Sequence, residues 1–188
     1  MSGIISVSPD MQSGIVGKFP TGQVLQVVRG VYKTQTSITS STKIIDVELT
    51  AKGGSSTFFG HWSMQAGTSL DAEGFRVSMT ISTAVPSNST TASQMWEMTS
   101  PGDIQNYVFR YDLGNVTSSI ANEYTIDHFS GTVQNLPVIA NSTFAKGATV
   151  HCAMWVQGES TLYINRCKAR VGANETGITS LTVWEIAT

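Results

Sequence analysis

The sequence predicts an all-β fold, a single jelly-roll β-sandwich preceded by an irregular N-terminal arm, and three observations carry this. Ser and Thr number 23 each among 188 residues, so a quarter of the chain carries a small hydroxyl. Charged residues are only 13%, about half the usual share of a globular domain. Apolar and polar residues alternate over short β-branched runs closed by Gly, Ser or Asn, the pattern of strands and turns. Helical bundles need Ala, Glu, Lys and Leu, which are scarce here. A mean hydropathy of +0.01 with 7 Phe, 5 Tyr and 4 Trp excludes a solvated disordered chain. The length suits one domain.

Residues 1–22 stand apart. They mix Ile4, Ile5, Val7, Ile15, Val16 and Phe19 with Gly3, Gly14, Gly17, Pro9 and Pro20. No helical or strand period survives so many breakers, yet six large apolar residues do not suit a free tail. Two readings remain: an arm that buries its apolar residues on a partner, or one folded back on its own domain. From Gln23 the strand signals become regular. QVLQVVRGVY (23–32) is β-branched, and TKIIDVELTA (42–51) alternates Ile45, Val47 and Leu49 against Asp46, Glu48 and Thr50. Segments 56–64 and 75–83 follow, with shorter candidates at 107–113 and 123–129. Two last candidates, TVHCAMWV (149–156) and TLYINRC (161–167), flank Gln157-Gly158-Glu159-Ser160, which predicts a two-residue hairpin turn with Gly158 at positive φ. That register sets Trp155 opposite Leu162 and puts Cys152 and Cys167 on one face. The closing strand, 178–187, alternates Thr179, Leu181, Val183 and Glu185 against Ser180, Thr182, Trp184 and Ile186. Stretches 86–100 and 136–146 read as loops. The domain division is 1–22 for the arm and 23–188 for the sandwich.

The motifs of common catalysts are absent: there is no GxSxG, GxxxxGK[ST], GxGxxG or HExxH. Acidic pairs such as Asp46/Glu48 and Asp71/Glu73 sit where solubilising charges sit. The three histidines, His61, His128 and His151, fall on three separate strands without metal-ligand spacing. We therefore assign no enzyme activity, no metal and no cofactor. Net charge is −2, and the densest basic stretch, Arg166, Lys168 and Arg170, is one strand end, so neither nucleic acid nor a membrane is an expected partner. Four large Trp among the surplus of apolar residues point to a subunit interface. The opening MSGIISVSPD has no secretory pattern, so synthesis in a reducing cytoplasm is expected, with Cys152 and Cys167 as buried thiols.

The segments SGIISVSPDMQSGIVGKFPTGQVLQVV and TQTSITSSTKI and the closing STLYINR…TSLTVWEIA resemble a family of small structural proteins of tailed bacteriophages. In such proteins a glycine-rich arm leads into a GxVLQVV strand, and the chain closes with "TLYINR" and "TVxEI" strands. The resemblance covers the arm, the first strands and the last forty residues, and is weak from about Met64 to Val150. It implies a trimeric jelly roll like the tumour-necrosis-factor and complement globular heads, made in the host cytoplasm and carried on the virion surface. Two functions follow from it. The first is a homotrimeric capsid decoration or cement protein, held on the major capsid protein by Ile4, Ile5, Ile15, Val16 and Phe19 of the arm. The second is the receptor-binding tip of a tail or tail fibre, joined to a tail protein and facing a host surface glycan. The brief arm and the lack of shaft repeats favour the first.

Overall fold

The computed structural model describes residues 21–68, 74–87, 109–111, 127–134, 144–158, 161–167 and 177–188. The arm residues Ile4, Ile5, Ile15, Val16 and Phe19 lie outside these. Among the described residues the chain forms strands only. They are β1 (Val24–Tyr32), β2 (Thr36–Ile38), β3 (Thr42–Thr50), β4 (Thr57–Thr68) and β5 (Phe75–Ser82), then β6 (Phe109–Tyr111), β7 (Asp127–Gln134), β8 (Thr149–Gly158), β9 (Leu162–Ile164) and β10 (Thr179–Ile186).

The antiparallel pairs β1/β10, β2/β9, β3/β8, β4/β7 and β5/β6 nest one inside the next along the sequence. The chain is thus one long hairpin wound over itself. Its winding makes two sheets, β1-β10-β4-β7 with β9 and β2 as a lateral extension, and β3-β8-β5-β6. This is the predicted jelly-roll sandwich.

Alternation decides what each strand buries. Ile45, Val47 and Leu49 on β3 point inward, as do Val77, Met79 and Ile81 on β5 and Cys152, Met154 and Val156 on β8. Across the core they meet Phe58, Trp62 and Met64 of β4 and Leu181 and Val183 of β10, all essentially inaccessible. Gly30 lets β1 pack tightly over β3: a Cβ there would lie 2.6 Å from Ile45 Cγ2 and 2.9 Å from Val47 Cγ2. On β7, Gly131 faces Trp62 across the ladder and lets the indole lie flat on the backbone, because a Cβ would fall 2.8–2.9 Å from the ring. Several outward positions are buried as well, Ser78, Thr80 and Ser82 on β5 and His151, Ala153 and Trp155 on β8, and Trp155 Nε1 donates to Thr80 Oγ1 at 3.1 Å.

The expected 157–160 hairpin is wrong. Strand β8 already has β3 on one side and β5 on the other, so its ladder has no free edge for β9. Gly158 sits in strand opposite Phe75, and Trp155 pairs with Lys43 and Ser78 rather than Leu162. The chain crosses to the other sheet, where β9 joins β2 and β4. Cys152 and Cys167 consequently belong to different parts of the sandwich, both buried and neither in a disulfide. A Gly in a four-residue gap is a local hairpin signal; the nested long-range pairing overrides it. Two strand bounds also move: the 56–64 candidate runs on to Thr68, and the 123–129 candidate is Asp127–Gln134.

Candidate interaction surface

Two buried polar clusters hold the sandwich's corners. Glu185 shares a face of β10 with Leu181 and Val183, so it points into the core and is fully buried. Its carboxylate accepts from the backbone N–H of Lys52 (2.8 and 3.0 Å to the two oxygens) and of Gly53 (2.8 Å), from Ser56 Oγ (2.7 Å) and from Gln26 Nε2 (2.5 Å). Gln26 Nε2 also donates to Thr50 O at 2.7 Å. The loop after β3 is therefore wrapped around an anion, with successive N–H groups aimed at it. Any side chain at Gly53 would collide with the Ser56 hydroxyl, which a Cβ would approach to 2.2 Å.

The second cluster centres on Asn165, fully buried and in the left-handed region at φ 59°. Its amide donates to Tyr32 O (2.9 Å) and Thr34 O (3.2 Å), and its Oδ1 accepts from Thr179 Oγ1 at 2.8 Å. Its N–H donates to Gln65 O and its C=O accepts from Gly177 N. One residue thus ties the end of β1, the middle of β4 and the start of β10. Asparagine tolerates this conformation better than other residues with a Cβ. Three of the sequence motifs singled out above now have a physical reading. GQVLQVV supplies Gly22 and Gln26, TLYINR supplies Asn165, and TVWEI supplies Glu185. Gly22, at φ 87°, forms a bulge against Ala187: its N–H donates to Ala187 O (2.7 Å), while Ala187 N–H donates to Gln23 O (2.8 Å). These motifs are architectural.

The outward face of β1-β10-β4-β7 is different in kind. Its positions line up across strands in rungs: Val27–Trp184–Phe59, then Arg29–Thr182–His61–Thr132, then Val31–Ser180–Ser63–Ser130. Val27 and Val31 are 52% and 48% exposed, and the partly exposed rings of Phe59 and Trp184 pack 5.6 Å apart. Ser63 Oγ and His128 Nε2 are hydrogen-bonded at 2.9 Å. Across these rungs Arg29 is the one permanent charge. The aromatic and aliphatic end and the scarce charge match the core of a protein–protein interface, and the hydroxyl-rich end has the polarity of a rim.

The remaining sequence candidates scatter. His61 and His128 face outward on this sheet, while His151 lies on the other, its Nδ1 3.2 Å from Asp46 Oδ1. Among the described residues no three of His, Cys, Asp and Glu gather. Asp46 also pairs with Lys43 at 3.0 Å, and Glu48 stands opposite His151 in the ladder. Arg166 stacks over the Tyr163 ring at 4.7 Å. Lys168, Arg170, Asp71, Glu73 and Trp96 lie outside the described residues.

No family model matches the sequence, and no curated protein matches it. Among solved structures, the VP2 subviral particle of infectious bursal disease virus is similar at TM-score 0.37 and 8% identity, over all of this chain and 43% of that one. A mutant VP2 of that virus in T=1 particles gives TM-score 0.36 and 8% identity, over all of this chain and 41% of that one. The virus's Gx strain gives 0.37 and 9%, over 99% of this chain and 47% of that one. These neighbours are viral capsid proteins, and this chain spans less than half the length of each. The sandwich topology stands on the chain's own strand pairing.

Proposed function

We propose that this chain is a non-enzymatic structural protein of a tailed-bacteriophage virion, a homotrimer that decorates and cements the capsid surface. The observation that carries the reading is the outward face of β1-β10-β4-β7. Aromatic and aliphatic side chains there stay partly exposed on a nearly uncharged sheet face, and two further copies of the chain would cover them. The motif residues support it, since Gln26, Asn165 and Glu185 all serve architecture and leave the resemblance one of scaffold. Residues 1–22 are the anchoring arm and 23–188 the jelly-roll body. Three arms on one trimer would act together, so a weak single attachment becomes firm. The major capsid protein is the partner. The test has two parts. Native mass measurement should give about three times the 20.1 kDa chain mass. Protein lacking residues 1–20 should remain a trimer yet fail to re-occupy particles stripped of it. A monomer at micromolar concentration, or equal rebinding by the truncated form, overturns the respective part. Density at the tail end in place of the shell would assign the receptor-binding tip instead.

A further inference from the structure

We propose that Phe19 docks into a hollow beside the Glu185 cluster of its own chain and so fixes where the arm leaves the body. The hollow has a volume of about 310 Å³ and lies between Leu25 of β1, the loop 53–56, Ala187 and Thr188. At the bottom of the ~300–1,000 Å³ range of ligand pockets, it takes one large side chain rather than a cofactor. Its walls are held before anything enters. Gly53 and Ser56 are fixed by their bonds to Glu185, and Thr188 Oγ1 donates to Ser55 O.

The occupant follows from where the arm joins. Gly22 and Gln23 are hydrogen-bonded to Ala187, itself part of the wall. Phe19 is three residues before Gly22, a reach of ~10 Å at ~3.4 Å per residue, with Pro20 stiffening the link. It is the large apolar side chain with the shortest tether. Leu25, the Ala187 methyl and the bare glycine backbone offer it apolar contact. Docked there, Phe19 leaves Ile4, Ile5, Ile15 and Val16 for a partner. This does not depend on where the protein sits on a particle.

Limited proteolysis of the full-length isolated protein tests it. Lys18 is the single Lys or Arg of residues 1–22, so trypsin has one cleavage site in the arm, next to Phe19. Gly54 lines the hollow, and a Cβ on it would meet nothing within 4 Å, so Gly54→Trp obstructs the space without straining the body. We expect slow loss of residues 1–18 from wild type, and cleavage about tenfold faster in both Gly54→Trp and Phe19→Ser, as local opening then governs the rate. The Phe19→Ser change leaves the body untouched should Gly54→Trp not fold. Wild type cut as fast as the two variants would overturn the docking. Protection that fades on dilution would overturn the own-chain assignment and give the hollow to a neighbour's arm.

Discussion

Replacing Glu185 by glutamine tests whether the buried carboxylate holds the sandwich corner. The side chain is fully buried and accepts from four groups: two backbone N–H, the Ser56 hydroxyl and the Gln26 amide. Hydrogen bonds to a charged group contribute about 1.5–3 kcal/mol each and neutral ones about 0.5–1.5. In Glu185→Gln one oxygen remains, so the bonds from Lys52, Gly53 and Ser56 persist but weaken, a loss of about 3 kcal/mol together. The new NH₂ faces the Gln26 NH₂, donor against donor, which removes about 1–2 kcal/mol more. Turning the Gln26 amide over does not help, because Nε2 also serves Thr50 O. Removing a buried charge recovers about 2 kcal/mol of desolvation where four donors already stand in for water. The net is a destabilisation of about 2–3 kcal/mol, equivalent to about 5–10 °C in Tm for a chain of this length. Urea unfolding followed by tryptophan fluorescence should show a lower midpoint with an unchanged slope. A variant as stable as wild type, or more so, would refute the reasoning and show that desolvation outweighs the bonds.

Asn165→Ala should cost about 3–4 kcal/mol, through lost bonds and the strain of a left-handed Ala, and Asn165→Gly less, because it relieves the strain; equal costs in denaturation would contradict this. Gly131→Ala forces Trp62 from its seat and should lower stability by about 1–3 kcal/mol, with a change in tryptophan emission as the visible sign. Trp184→Arg on the outward sheet face should dissociate the proposed trimer while leaving circular dichroism unchanged, as sedimentation would record. Burial raises the Cys152 thiol well above its ordinary range, with the charge of Asp46 adding to the effect. The thiolate is the reactive form, so the native protein at pH 8 should react with thiol reagents only slowly, whereas denatured protein should expose both thiols at once.

Much of the fold was legible because alternation is a direct record of burial. Strand β3 reads Ile45, Val47 and Leu49 inward against Asp46, Glu48 and Thr50 outward, and the structure has that arrangement. Strand β10 was harder, since Trp184 and Ile186 make its outer face look as apolar as its inner one. The signal for Glu185 was nonetheless present: it keeps register with Leu181 and Val183, so a core on that side brings the carboxylate inside. What no local pattern carried was its set of donors, which come from β1 and the β3–β4 loop more than a hundred residues away. The same distance explains the failed hairpin. Gly158 looked like a turn because the partners that occupy both edges of β8 lie far off in sequence. Strand β2 is three residues of a Ser/Thr-rich stretch and has no period of its own; only its pairing with β9 defines it.

The proposed place of this chain is on a virion. Electron microscopy of the intact particle, at a resolution that separates β-sheets, tests it most directly. Jelly-roll bodies in groups of three are expected on the outer capsid surface, with β1-β10-β4-β7 facing the local threefold axis and the arms running down into the shell. Particles in which these bodies stand singly, or which lack them altogether, would contradict it.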